Sequence, residues 1–356
     1  MARTGTLTSG DSLAHAVLNR SRGGYTARMA RAVSRPDDQG VNRGRQATAP
    51  TGVPPRGWKD VLVRVKAQIK SDNVVLLAAG VAFFALLSLV PALVAIVSIY
   101  GLVADPADIE RNIEDMLAAA PAEVRDLVSS QLSSIVDSSP SGLGIGVVVG
   151  IALALWSASS GVKHLIAAIN LAYDEEETRG FVKLRGLALI LTLAAIVGMV
   201  VAVAALVVAP AALDDSGGEG AVRMVLLVVR WPLFALLALV ALAVIYRYAP
   251  DRDAPRWSWV SAGAVIATVL WVVASVAFSL YTSNFGSYNE TYGALGAVVV
   301  LMLWLLITAF VVIAGAEVNS ELERQTYADT TRGREQPMGE RDAYAADTVG
   351  RATGPE

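Results

Sequence analysis

The residues best suited to chemistry are polar side chains that interrupt long apolar stretches of the sequence. They are Ser157, Ser159, Ser160, Lys163, His164, Asn170, Glu317 and Asn319. A charge inside a membrane segment is costly, so it usually faces a partner or a polar path. Counting about 1.5 Å per helical residue puts Lys163 and Glu317 at similar depth. The pattern predicts an ion pair or a polar path between two helices; the plainer alternative is a lysine that reaches the membrane edge.

Three further features could affect how a substrate moves or binds. Pro91 removes a backbone hydrogen bond within an apolar stretch, which predicts a kink that serves either as a hinge or as fixed shape. Arg230 precedes Trp231 near the end of another stretch, which predicts contact with lipid headgroups or, alternatively, attraction of an anionic substrate. The small residues 157–161 favour either tight helix packing or a locally opened helix.

Composition restricts the enzyme classes open to this chain. The sequence has no cysteine, which excludes disulfides, thiolate metal sites and thiol catalysis. It has two histidines, His15 and His164, which leaves little material for a histidine-based metal or acid–base site. We therefore expect no enzyme activity, no catalytic residue, no metal site and no cofactor.

The elements that would position these residues are long apolar helices. The chain has 356 residues, of which 54% are hydrophobic and 17% charged, with a mean hydropathy of +0.51. Spans of about 20 apolar residues are predicted at 74–104, 143–173, 186–213, 224–246, 257–282 and 292–316. The fourth is the weakest, because only 16 residues separate Arg230 from Arg247. The predicted fold class is all-α: a polytopic membrane protein with six transmembrane helices and short amphipathic interfacial helices.

The distribution of basic residues predicts the orientation. Segments 1–72, 174–185, 247–256 and 317–356 hold 13, 3, 3 and 5 Lys or Arg residues. The alternate segments 105–141, 214–223 and 282–292 hold 2, 1 and 0. Basic loops stay in the cytoplasm. We therefore expect a multi-pass protein of the cell (plasma) membrane whose N- and C-termini are both cytoplasmic.

The segments outside the spans are assigned by their composition. Residues 1–57 are predicted to be a disordered basic tail, 58–324 the six-helix membrane domain, and 325–356 a disordered C-terminal tail. Residues 58–70 predict a basic amphipathic helix on the inner leaflet or, alternatively, a solvated helix. The acidic segment 105–141 predicts two amphipathic helices that form a lid or a structural cap.

A series of short motifs runs through residues 58–324. The motifs are Ser88-Leu89-Val90-Pro91, Trp156-Ser157-Ala158-Ser159-Ser160, Asn170-Leu171-Ala172-Tyr173 with Arg179, Tyr246-Arg247-Tyr248-Ala249-Pro250, Gly263-Ala264 with Trp271, Tyr292-Gly293-Ala294-Leu295-Gly296 and Ala314-Gly315-Ala316-Glu317-Val318-Asn319. Their order and spacing resemble the YihY / virulence factor BrkB family of bacterial inner-membrane proteins. One departure is Ala262, where the family often has proline.

The resemblance implies a transporter or a translocase of lipids or other amphiphiles, with an unknown substrate. Its expected partners are membrane lipids and a small-molecule or lipid substrate, with no specific nucleic acid. The alternative is a non-transporting membrane scaffold or regulatory protein. The family was once labelled ribonuclease BN, but RNA hydrolysis needs a positioned acid and base or a metal cluster, for which this sequence offers little.

Overall fold

The computed structural model describes residues 43–103, 145–203, 220–283 and 294–353. The helices in these ranges are α1 (Pro55–Ser71), α2 (Val74–Val103), α3 (Ile145–Ala172), α4 (Phe181–Val203), α5 (Gly220–Tyr248), α6 (Trp257–Ser283), α7 (Ala294–Glu323) and the short α8 (Tyr344–Asp347). The only β pairing within these ranges is an isolated bridge between Pro255 and Thr331. The described part of the chain is thus all-helical, as the apolar pattern predicts.

Several helices are long and apolar enough to cross a bilayer. Within the described ranges, four pass by length and hydropathy: Val149–Ala172, Phe181–Val201, Trp257–Thr282 and Val298–Glu323. The bent pair α1–α2 gives a fifth candidate, whereas α5 contributes only a shorter apolar stretch, Pro232–Tyr248. Many large apolar side chains are exposed on these helices, as expected for surfaces that face lipid. The protein is therefore a polytopic membrane protein.

The long helices pack in a closed series. Helix α2 packs on α3, α3 on α4, α4 on α5, α5 on α6, α6 on α7, and α7 on α2. Helix α7 also contacts α3 and lies beneath α1. Helix α7 is therefore the element through which most of the others are held together.

The crossing of α5, α6 and α7 depends on two glycines. A Cβ atom at Gly263 would overlap the backbone oxygen of Gly315, and one at Gly315 would overlap the Tyr246 hydroxyl. The Tyr246 hydroxyl donates to the Val312 carbonyl at 2.8 Å. Small residues allow such close backbone approach between membrane helices. This packing explains why glycine occupies the Gly263-Ala264 and Ala314-Gly315-Ala316 motifs.

Helices α1 and α2 meet at an angle of 63°. Asn73 has a left-handed backbone (φ 51°), which asparagine tolerates better than most residues. Its carbonyl accepts the first hydrogen bonds of α2 from Leu76 (2.8 Å) and Leu77 (3.1 Å). The Asp72–Asn73 turn therefore fixes the bend.

One end of the bundle, which we call the polar end, collects the helix termini and the ordered loops. It comprises residues 43–60, 170–180, 247–256 and 320–353. Helices α3, α5 and α7 end there, while α2, α4 and α6 begin there. Helix α3 ends in a Schellman turn, in which left-handed Asp174 allows the Glu175 N–H to reach the Asn170 carbonyl at 2.9 Å.

The structure differs from the prediction that residues 325–356 form a disordered tail. Residues 325–353 are packed on the polar end, and Arg341 donates to the carbonyls of Tyr327 (2.9 Å) and Ala346 (2.7 Å). Residues 43–57 are packed on the same end. Arg45, for example, donates to the Gly350 carbonyl at 2.6 Å. Hydrogen bonds from arginines to backbone carbonyls, rather than an apolar pattern, organise both segments, and composition does not reveal such bonds.

Helix α1 is more buried than a purely interfacial helix would be. Val61 and Val65 pack against Trp259, Val318 and Leu322. Asp60 and Arg64 on the same face are also buried and bonded. Its exposed face keeps Lys59, Lys66 and Lys70. The predicted amphipathic helix is present, but its inner face contacts α6 and α7.

Some predictions concern regions outside the described residues. They are the basic tail 1–42, the two amphipathic helices of 105–141, the loop 214–219 and the side chain of Arg230. Arg230 itself lies within α5.

Candidate functional site

Lys163 and Glu317 do not form the predicted ion pair. The Lys163 side chain is exposed, on the stripe of α3 that also exposes Trp156 and Leu171. Glu317 is only 1% exposed, and neither of its carboxylate oxygens has a hydrogen-bond partner. The prediction was wrong because it compared depths along two helices without comparing the directions in which the side chains point.

Asn170 and Asn319 connect elements of the polar end. The Asn170 amide donates to Glu177 at 2.9 Å, and its oxygen accepts from the Asp251 N–H at 2.8 Å. The Asn319 oxygen accepts from the Gly263 N–H at 2.7 Å, and its amide donates to the Val260 carbonyl at 3.2 Å. Both asparagines therefore join helices and loops to one another and leave little capacity for a substrate.

The small polar residues of α3 divide between two faces. Ser159 is buried and donates to the Trp156 carbonyl at 2.8 Å, whereas Ser157 is exposed. The backbone N–H of Gly161 donates to the Ser88 hydroxyl of α2 at 3.0 Å. A Cβ atom at Gly161 would lie 2.9 Å from that oxygen, so this face of α3 is a close helix contact.

His164 lies on the α2 side of α3. Its ring stacks on Phe84 with 3.5 Å between centroids, and its Nδ1 lies 2.7 Å from the Ser160 carbonyl. These contacts fix the orientation of the ring. His164 and Lys163 therefore face different surroundings.

A cationic site that the sequence analysis missed lies between α3 and α4. It consists of Arg185 with Trp156, Ser160 and Phe181, and we call it the Arg185 site. The Arg185 guanidinium donates to the Trp156 carbonyl, lies 3.4 Å from the Ser160 hydroxyl and stacks 4.0 Å from the centre of the Trp156 ring. Phe181 packs on the same ring, with 6.0 Å between centroids.

Among the described residues, no carboxylate forms an ion pair with Arg185. Arg185 is only 7% exposed, its Nε has no hydrogen-bond partner, and no carboxylate acts on it appreciably. Sequence counting assigned Arg185 to a loop because it is the last charge before an apolar stretch. The apolar pair Phe181–Val182 ahead of it was the available signal that the helix begins earlier.

The site joins the middle of α3 to the start of α4, where Arg185 is the fifth residue. Trp156 precedes Asn170 by 14 residues, and the Asn170 side chain bonds at the polar end. At about 1.5 Å per residue, Trp156 lies about 21 Å along α3 from that end. Trp156 and Phe181 are 45% and 66% exposed, so the site opens towards the lipid-facing surface.

Arginines of the polar end already pair with carboxylates. The pair Arg252–Glu323 is fully buried at 2.7 Å, and Thr330 donates to the same glutamate at 2.6 Å. Hydrogen bonds from Arg179 lower the pKa of Glu177. These arginines are held by carboxylates, unlike Arg185.

Pro91 lies inside α2, which continues through it to Val103. Its predicted role as a hinge stays a prediction. No group of three or more His, Asp or Glu side chains that could hold a metal occurs in the ranges 43–103, 145–203, 220–283 and 294–353.

Comparisons with known proteins identify relatives over most of the chain. A family model described as virulence factor BrkB matches residues 65–339. The chain is 32% identical over 256 residues to the ribonuclease-like protein YfkH of Bacillus subtilis (strain 168), covering 70% of this chain and 90% of that protein. It is 28% identical over 258 residues to a UPF0761 membrane protein of Alteromonas mediterranea, covering 71% and 84% of the two chains. A UPF0761 membrane protein of Photobacterium profundum is 26% identical over 267 residues, covering 73% and 80%. No solved structure matches.

Proposed function

Because the chain belongs to the virulence factor BrkB family of membrane proteins, we propose that it translocates a lipid or another amphiphile across the plasma membrane. The observation that carries this proposal is the buried, uncompensated cation at the Arg185 site. A charge held inside a membrane helix is costly, and such residues commonly mark the path of a substrate or an ion.

The chemistry of the Arg185 site favours an anionic headgroup. A guanidinium presents several N–H donors in a fixed fork that matches phosphate and carboxylate oxygens. Only part of that fork is used by Trp156 and Ser160, and Nε remains without a partner. An anionic headgroup would supply the missing acceptor.

The exposure of the site favours entry from the side. Trp156 and Phe181 line the lipid-facing rim, and the exposed Lys163 lies two turns beyond Trp156 towards the polar end. A lipid could keep its acyl chains in the bilayer while its headgroup moves from Lys163 to Arg185. This route needs no wide aqueous channel.

We further propose six spans with the polar end in the cytoplasm. Residues 43–60 and 320–353 bond to each other at this end, as Arg45 does with Gly350. An even number of crossings returns a chain to its starting side, and α2 to α7 are six long helices. The segments 174–185 and 247–256, which hold three Lys or Arg residues each, begin at the same end, which agrees with a cytoplasmic position.

A hydrolytic role is not part of this proposal. The relative YfkH is named ribonuclease-like. In this chain, however, the one described histidine is stacked on Phe84 and bonded to its own helix. We propose that the chain is not an enzyme.

Reconstitution into liposomes tests the proposal. Headgroup accessibility of fluorescent phosphatidylglycerol should rise above that in empty liposomes, and Arg185→Gln should lower the rate at least tenfold. Lys183→Gln is the matched control, because Lys183 lies on the same helix with an exposed side chain. Arg185→Lys should retain part of the rate because it keeps the charge.

The result that would overturn the proposal is equally specific. If folded wild-type protein moves neither phosphatidylglycerol nor labelled phosphatidylcholine faster than empty liposomes under any ion gradient, the scaffold alternative replaces it. An Arg185→Gln rate equal to that of wild type would exclude the Arg185 site as the path.

A further inference from the structure

Two carboxyl groups face each other where the α1–α2 bend meets α7. Glu317 is 1% exposed and both its oxygens lack a hydrogen-bond partner; the Oδ2 of Asp72 is likewise buried without a partner. Asp72, which is half-buried as a whole residue, is the charged group with the largest electrostatic effect on Glu317. Unpaired buried carboxylate oxygens are rare, because each one loses its hydration without compensation.

The groups around this pair add no compensating cation. Glu321 on α7 and Asp174 at the end of α3 are the other charges that act on Glu317 most strongly. Tyr173, the residue after α3, contributes a buried hydroxyl that makes no hydrogen bond. Helix α6 carries no charged residue.

The nearby arginines are already bound to other carboxylates. Arg64 of α1 and Arg324 both pair with Glu321. Arg252, from the turn between α5 and α6, pairs with Glu323. No ion pair reaches Glu317 among the described residues.

We propose that Asp72 and Glu317 form a proton-binding site in which the two carboxyl groups share one proton. Two carboxylates at close range in a buried site cannot both be ionised, so one retains a proton that it would release in water. The protonated carboxyl group can donate a hydrogen bond to the ionised one, so that each carboxyl group gains a hydrogen-bond partner.

The site connects proton binding to a bend in the fold. Asp72 is the last residue before Asn73, whose left-handed backbone sets the 63° angle between α1 and α2. Loss of the proton places two negative charges across the contact between this bend and α7. Proton release therefore pushes the bend away from α7, whether or not the protein moves lipid.

Unfolding as a function of pH tests the site in the purified full-length protein. Glu175 also titrates near neutral pH, so every variant is made in a Glu175→Gln background. The folding equilibrium constant of that background should fall about tenfold per pH unit from pH 6 to 8, because the folded state holds one proton more than the unfolded state. Glu317→Gln and Asp72→Asn should each abolish this slope. Glu176→Gln removes an exposed carboxylate of the same end and should leave it unchanged.

Two further measurements keep the test valid if the variants fail to fold, or if the site binds a metal cation instead of a proton. Infrared spectra of the Glu175→Gln background at pH 7.5 should contain a band from a protonated carboxyl group, and its absence would refute the site. An unchanged pH slope in folded Glu317→Gln would refute it as well. If sodium in place of choline restores stability at pH 8.5, the site binds a metal cation and the proton assignment is wrong.

Discussion

At the residue scale, Gly315 and Gly263 set how closely α5, α6 and α7 approach. Because an added Cβ at Gly315 would overlap the Tyr246 hydroxyl, we expect Gly315→Ala to lower the free energy of unfolding by about 1–3 kcal/mol. Gly80→Ala is the control, since an added Cβ there meets nothing within 4 Å. Alanine at Gly80 should stabilise α2 by up to about 1 kcal/mol. Equal stability of the two variants in detergent unfolding would contradict the close contact.

Glu175 gives the polar end a pH dependence of its own. Burial raises the pKa of Glu175 to about 7, although Arg252 and the Tyr344 N–H act in the opposite direction. A carboxyl group whose pKa is higher in the folded state contributes stability at acid pH that is lost as the pH rises through about 7. We expect the protection factors of the α8 amides, which compare the exchange rate with that of an unprotected amide at the same pH, to fall between pH 6 and 8. Glu175→Gln should remove that change, and protection factors that do not depend on pH in the wild type would exclude this role.

At the scale of elements, the Arg252–Glu323 pair joins the end of α7 to the turn between α5 and α6. Both side chains are 0% exposed, so loss of one partner leaves a buried charge. We expect Arg252→Met to cost about 3–5 kcal/mol of unfolding free energy. The double variant Arg252→Met/Glu323→Leu should cost less than the two single changes together. Arg334→Met, at an exposed arginine of the same end, is the control.

The helices could be predicted from the sequence to within a few residues, and the largest errors lie where charges are tolerated. Helix α4 begins at Phe181 rather than 186, because Arg185 turns inward along α3 instead of ending the helix. Helix α7 continues from the predicted 316 to Glu323, because Asn319 is bonded across to α6. A charged residue therefore indicates the end of a membrane span only when its side chain is not buried against another helix.

The partners of the intramembrane charges were less predictable than the helices. Hydropathy identifies Glu317 as an intramembrane charge, but the partner that faces it, Asp72, lies in a turn 245 positions away. Lys163 attracted attention because it interrupts an apolar run, yet it faces outward. Depth along a helix follows from counting residues, whereas the direction of a side chain depends on how the helices pack.

At the scale of the whole molecule, labelling can test the proposed cytoplasmic position of the polar end. The chain has no cysteine, so single cysteines can be introduced as labels. We expect Glu176→Cys and Arg334→Cys to resist a membrane-impermeant maleimide in intact cells, because both lie at the polar end. Ser138→Cys, in the acidic segment 105–141, should react. Labelling of Arg334→Cys in intact cells would contradict the cytoplasmic position of the polar end.

The bond between Arg45 and Gly350 also constrains how the protein is made. Residues 43–60 leave the ribosome before any long helix, but their partners at 350–353 leave only after α7 has entered the bilayer. The contacts of Arg43 and Asp60 with Thr353 can therefore form only after all the long helices have been synthesised. Assembly of the polar end is consequently completed only after the helices have inserted. In ribosome-bound chains stalled after α7, we expect the helices to be inserted while the arginines of residues 43–60 are still accessible to protease.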